Sequence, residues 1–175
     1  MMIKKMAIGV SVIGLLLLGV VFIYGANKGH LTSDFEMIIK ADQNKVWSNF
    51  QNPSNFKKWM SGFEKIEMLE GIPGTAGSTY ALHFKNDDGT TTILYQKLTS
   101  IDPPNSISFD LNNEMFSSEL LITLKEVSEG TKMTVKMDTE GSNSFYNAFI
   151  HLGKENLDQN QRQNYEAFKQ LLEQE

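Results

Sequence analysis

The side chains able to do chemistry are few and scattered. Cysteine is absent, so thiolate nucleophiles, disulfides and cysteine metal sites are excluded. His30, His83 and His151 are too far apart in sequence for a zinc motif. His83 alternates with Leu82 and Phe84, which turns it toward solvent on a strand. Neither His83 nor His151 has a serine or carboxylate at a diagnostic spacing. Asp87 and Asp88 lack the ligand spacing of a calcium loop. The glycines from Gly71 to Gly77 are not followed by a helix pattern, so they do not cradle a phosphate. What remains are hydroxyls in apolar rows. Ser118 lies between Phe116 and Leu120 on one strand face, with Glu119 on the opposite one, and Tyr80 shares a row with Leu82 and Phe84. If buried, such hydroxyls need partners, which a ligand headgroup or water could supply, and they can polarise a carbonyl. This is the chemistry of a pocket rather than of a nucleophile and its base. The sequence implies no metal and no cofactor.

These rows need elements to hold them. The chain has 175 residues, a net charge of −5 and no basic cluster, so nucleic acid is not an expected partner. After an apolar N-terminus, enough remains for one domain with a real core. From Ser144 to Glu173 there is no proline and one glycine, Gly153. Phe145, Phe149 and Leu152 recur at helical spacing, and Tyr165, Phe168 and Leu172 repeat it. The pattern predicts one long helix that meets a surface twice and is polar between, with 159–164 a solvated face. Upstream, alternation predicts strands at 34–40, around 66–71, and at 78–85, 90–100, 106–111, 115–127 and 131–139. Asp42 can cap a short helix over 43–50, and Pro53 starts a second that ends near Trp59. The Asp88-Gly89 pair marks a hairpin, and Pro103-Pro104 stops a strand. The reading is α+β: about seven strands in one curved antiparallel sheet around a long C-terminal helix, with two short helices after the first strand.

The strand residues expected to face that helix are Tyr80, Leu82, Phe84, Phe109, Leu111, Phe116, Ser118, Leu120, Met133 and Val135. Phe145, Phe149 and Leu152 face them from the helix, and Trp59 sits at the rim. The set either fills a core or lines a cavity. In the fourth strand Ile93 and Tyr95 oppose Leu94, Gln96 and Leu98, and periodicity does not choose the inward face.

The N-terminus carries Lys4 and Lys5, then runs without a charge from Ala7 to Tyr24. As a helix that stretch spans about 27 Å, close to the hydrocarbon thickness of a bilayer. It is longer than a signal-peptide core, and Tyr24 is bulky where a cut before Asn27 would want a small residue. The expectation is a 1–6 cytoplasmic tail, a 7–24 transmembrane helix and a 25–33 linker. A folded domain over 34–175 then lies outside the cytoplasm.

Several joints carry a resemblance. Ile39 to Trp47, with Ala41 ahead of Val46-Trp47, is similar to the first strand and helix start of the Bet v 1/START-like superfamily. Asn52 to Trp59 resembles its second helix, Gly77-Ser78 the opening of its third strand, and Leu98 to Ile107 its strand–Pro-Pro–strand corner. Gly130 to Val135 resembles its last hairpin. Asp42 stands where proline is common, and still caps a helix. The nearest branch is the polyketide cyclase/dehydrase and lipid-transport group. The resemblance covers Phe35 to about Glu173 and implies the helix-grip fold with a cavity between sheet and helix. It also implies an apolar or lipid-like small molecule as partner, beside the membrane reached through the N-terminal helix. No catalytic residue set of the superfamily can be matched here. Non-enzymatic binding is therefore the first expectation. A cyclase/dehydratase-type enzyme, or a protein-interaction module with a filled core and an outer patch at Ile93 and Tyr95, are the alternatives.

Overall fold

Alternating apolar and polar side chains build seven strands: β1 (Leu31–Ile39), β2 (Phe63–Glu70), β3 (Thr79–Lys85), β4 (Thr91–Asp102), β5 (Ser106–Asn112), β6 (Phe116–Val127) and β7 (Gly130–Gly141). They are seen in a computed structural model, which describes residues 17–174. All pair antiparallel in one sheet of order β1-β7-β6-β5-β4-β3-β2. Among the described residues five helices accompany them: α1 (17–26), α2 (Gln43–Phe50), α3 (Pro53–Trp59), α4 (Ser144–Leu152) and α5 (Lys154–Glu173). This is the helix-grip arrangement, with the sheet curved around the C-terminal helices.

Local chemistry explains the joints. The Asp42 carboxylate accepts from Asn44 N at 2.8 Å and Lys45 N at 3.3 Å, using two backbone donors that α2 leaves free at its start. Replacing Asp42 with alanine should cost about 1 kcal/mol. That corresponds to a thermal midpoint lower by about 2–4 °C in a domain of this size. Asn52 caps α3, with Pro53 at its first position. Gly130 opens β7 at φ +132°, where a Cβ would meet Ile39 O at 2.3 Å, so only glycine lets the last hairpin close against β1.

The core is asymmetric along the strands. Ile39, Val46, Ile122, Met133, Val135, Phe168 and Leu172 are almost completely buried and pack one end of the sheet against α2 and the second half of α5. There Lys40 N donates to the Glu173 carboxylate at 2.8 Å and Lys45 Nζ to Leu172 O at 3.1 Å, tying down the end of α5.

Two expectations are corrected. The single helix over 144–173 is two helices, because Gly153 ends α4 and begins α5 without a side-chain cap. A glycine with no Cβ to hold the turn lets the helix axis change there. The expected linker at 25–33 is shorter, since α1 runs to residue 26 and β1 starts at Leu31. The expected tail 1–6 and most of the 7–24 span lie outside the described residues, and residues 17–24 of that span belong to α1. Among the described residues no helix is long and apolar enough to cross a membrane.

Candidate functional site

The inner face of the sheet does not touch α5 along its whole length. Toward the start of β6 the strands and helices diverge and leave a cavity of about 820 Å³ with a half-open mouth. Its floor is Tyr80, Leu82 and Phe84 on β3, Leu94, Gln96 and Leu98 on β4, Phe109 and Leu111 on β5, Phe116, Ser118 and Leu120 on β6, and Met137 and Thr139 on β7. Its roof is Phe149 and Ile150 on α4, then Asn156, Leu157, Gln161, Asn164 and Tyr165 on α5. Trp59 of α3 closes the inner end, 5.8 Å from the Tyr165 ring and 5.2 Å from Phe168. The fourth strand is thereby resolved. Leu94, Gln96 and Leu98 face in, while Ile93 and Tyr95 face out, until a bulge between Leu98 and Ser100 shifts the pairing.

Of the residues expected to line this space, Trp59, Tyr80, Leu82, Phe84, Phe109, Leu111, Phe116, Ser118, Leu120 and Phe149 do so. Four do not. Met133 and Val135 are on the inward face of β7 but lie nearer its start, where α5 is packed down, so they are solid core. Phe145 and Leu152 point away from the sheet. The inward side of α4 is Asn147, Ala148 and Ile150. Phe145, Phe149 and Leu152 form the outer side, and Phe149 reaches only the mouth. Polar residues of α5 fare the opposite way. Gln161 and Asn164, inside the run read as a solvated face, line the cavity, and Gln161 Nε2 donates to Met137 Sδ at 3.5 Å.

The hydroxyls are better partnered than expected. Ser118 Oγ and Thr139 Oγ1 lie opposite each other in the register and bond at 2.7 Å. Tyr80 OH accepts from Gly74 N at 3.1 Å, pinning the β2–β3 loop at the mouth. Two donors on cavity residues, Gln51 Nε2 and Trp59 Nε1, are buried without a partner. Tyr165 is the polar group that sequence reasoning missed, since its helical spacing marked it only as core. Burial alone pushes its phenol well above the ordinary value of 10.0, so it stays a neutral donor. With the folded-state value raised, the contribution of Tyr165 to stability is intact below pH 10.0 and lost as pH climbs beyond it. Tyr165→Phe should flatten the alkaline limb of a pH–stability curve and leave neutral pH almost unchanged. An unaltered limb would show that the phenol is solvated.

Two histidines have partners outside the cavity. His83 Nε2 lies 3.1 Å from Glu67 Oε2 across β2 and β3, on the outer face. His151 Nε2 meets Gly29 O at 2.9 Å. A second concavity of about 990 Å³ between β1 and α5 is a wide surface groove edged by Glu36, Lys154, Glu155, Asp158, Arg162 and Glu166. No group of acidic or histidine side chains among the described residues could hold a metal ion.

Comparison with known proteins follows the same lines. The family model for "Polyketide cyclase / dehydrase and lipid transport" matches residues 31–173. No curated protein sequence matches. Among solved structures, a protein from Chromobacterium violaceum is similar at 18% identity and a TM-score of 0.67, covering 81% of this chain and 96% of its own. Ara h 8.0201 is similar at 15% identity and a TM-score of 0.69, covering 84% and 100%. The di-domain ARO/CYC StfQ of the steffimycin biosynthetic pathway is similar at 9% identity and a TM-score of 0.67, covering 83% and 52%. At these identities the likeness is one of fold.

Proposed function

The chain belongs to the polyketide cyclase / dehydrase and lipid transport family, and on that premise we propose that it holds an apolar or lipid-like small molecule without transforming it. The observation that carries this is the cavity. Its volume of about 820 Å³ lies in the range of small-molecule sites, and aliphatic and aromatic side chains make most of its wall. Tyr165, Gln96 and Gln161 add a few polar contacts for an oxygen-bearing end. We place the protein at a membrane through residues 7–24, with the N-terminus cytoplasmic and the folded domain that begins at Leu31 on the other side. The uncharged run of Ala7 to Tyr24 and the flanking Lys4 and Lys5 support this.

The test is to purify the full-length chain from its own membranes under mild detergent, extract it with organic solvent and weigh what comes out. One lipid or polyketide class at near one molecule per chain is expected. Extracts that match bulk lipid, together with no saturable uptake of an apolar fluorophore, would sink the reading.

Tyr165 favours a second reading. A neutral phenol beside an apolar cavity can polarise a carbonyl, as a cyclase or dehydratase requires. Turnover of a polyketide-like substrate that Tyr165→Phe abolishes, with binding kept, would establish it. An interaction module is the weakest alternative, because it expects a filled core.

A further inference from the structure

The cavity mouth carries apolar side chains that the fold leaves uncovered. Phe149 is 54% exposed, Leu157 42% and Met115 44%, and all three also line the cavity. Ile72, 68% exposed, precedes the lining residues Pro73 and Gly74 on the β2–β3 loop. On α4 the outer face continues with Phe145 and with Leu152, and the Phe145 and Phe149 rings meet edge to face, 4.7 Å between centres. The nine residues of α4 include no lysine, arginine, aspartate or glutamate. A water-facing helix does not have this composition.

The same helix is where the N-terminal segment ends. Gly25, in the last turn of α1, lies so close to α4 that a Cβ would stand 1.7 Å from Ser144 O. Asn147 Nδ2 donates to Gly25 O at 3.1 Å and to Lys28 O at 2.8 Å, and His151 holds Gly29. The large exposed side chains of α1 before this junction are Leu17, Leu18, Val20, Phe22, Ile23 and Tyr24, all apolar or aromatic. Lys28 Nζ sits 4.9 Å from the Tyr24 ring centre, a tyrosine and a cation where an apolar helix leaves a bilayer.

We propose that the outer face of α4 and the mouth loops at Ile72 and Met115 rest in the lipid surface, so that the ligand passes between bilayer and cavity without crossing water. This rests on the membrane reading of residues 7–24. Gly25 fixes the depth of α4 to the end of the apolar run, and the rigid clamp through Asn147 keeps the mouth from turning away. The occupant of the apolar face is therefore the membrane into which that run leads.

The chain has no cysteine, so single labels are simple to place. The full-length protein with Phe22→Cys, Phe149→Cys, Leu152→Cys or Ser128→Cys is labelled with a nitrobenzoxadiazole dye. It is then reconstituted in phosphatidylcholine–phosphatidylglycerol vesicles, with or without brominated acyl chains. Ser128 lies in the β6–β7 turn, about 40 Å along the strand from the mouth. Dyes at 22, 149 and 152 should be quenched by brominated lipid and spared by iodide, and the dye at 128 should behave the other way round. Iodide quenching at 149 and 152 equal to that at 128, with 22 still in lipid, would overturn the proposal and leave the anchor standing. An iodide-quenched dye at 22 would remove the anchor and the proposal with it. Shielding of 149 and 152 from both quenchers would mean that protein covers the face, and would also overturn it. Leu152 lines no part of the cavity and is 65% exposed, so its variant folds even where that at Phe149 does not.

Discussion

Truncating Phe168 to alanine should come close to unfolding the domain. The ring is fully buried, edge-on to Phe50 at 5.8 Å and 5.2 Å from Trp59, and it joins α5 to α2 and α3. Removing such a side chain costs about 3–5 kcal/mol, because the surrounding rings cannot collapse into the space. A domain of this kind has only about 5–15 kcal/mol in total. The measurement is the urea midpoint. Phe149→Ala is the control, since an exposed ring at the mouth should shift stability by no more than about 0.5 kcal/mol. Equal midpoints for the two variants would mean that α5 does not hold the sheet closed.

Filling the cavity should have the opposite profile. Leu120 projects from the middle of β6 into the open space and is only half-buried. Leu120→Trp places an indole where a ligand would lie. In a packed core that change would cost about 1–3 kcal/mol from strain, but here the indole enters a cavity of about 820 Å³ and folding should be nearly unaffected. Uptake of an apolar fluorophore should fall at least about tenfold, which is about 1.4 kcal/mol of binding. Unchanged uptake would put the ligand elsewhere, with the groove between β1 and α5 the next place to look.

The sheet was legible because each of its signals is local. Alternation in 131–139, the Asp88-Gly89 turn and the Asp42 cap each depend on residues a few positions apart. The site was legible only in part, for two physical reasons. Inwardness has period two, but depth does not. Met133, Val135 and Met137 share one face, and only the distance from α5 decides that the first two are core while the third meets the cavity. On α4, apolar residues occupy both sides of the helix, and the larger ones lie outside. Asn147 fixes the rotation by bonding the carbonyls of Gly25 and Lys28, partners more than a hundred positions away that no periodicity reveals. The break at Gly153 was invisible for a third reason, since glycine is tolerated inside a helix at about 1 kcal/mol and does not have to end one.

The pairing of β1 with β7 sets an order of events during synthesis. Leu31 lies opposite Thr139 and Ile39 opposite Thr131, so the first strand to leave the ribosome waits roughly a hundred residues for its neighbour. β3 to β7 each follow a strand they pair with and can zip up as they emerge. β1 cannot, and during that interval Leu31, Phe35 and Ile39 have no sheet to lie on. Such long-range closure is slow compared with hairpin formation. A chain arrested after Val127 would hold most of the meander and still have a homeless first strand, and the grip would close only after nearly the whole polypeptide had been released.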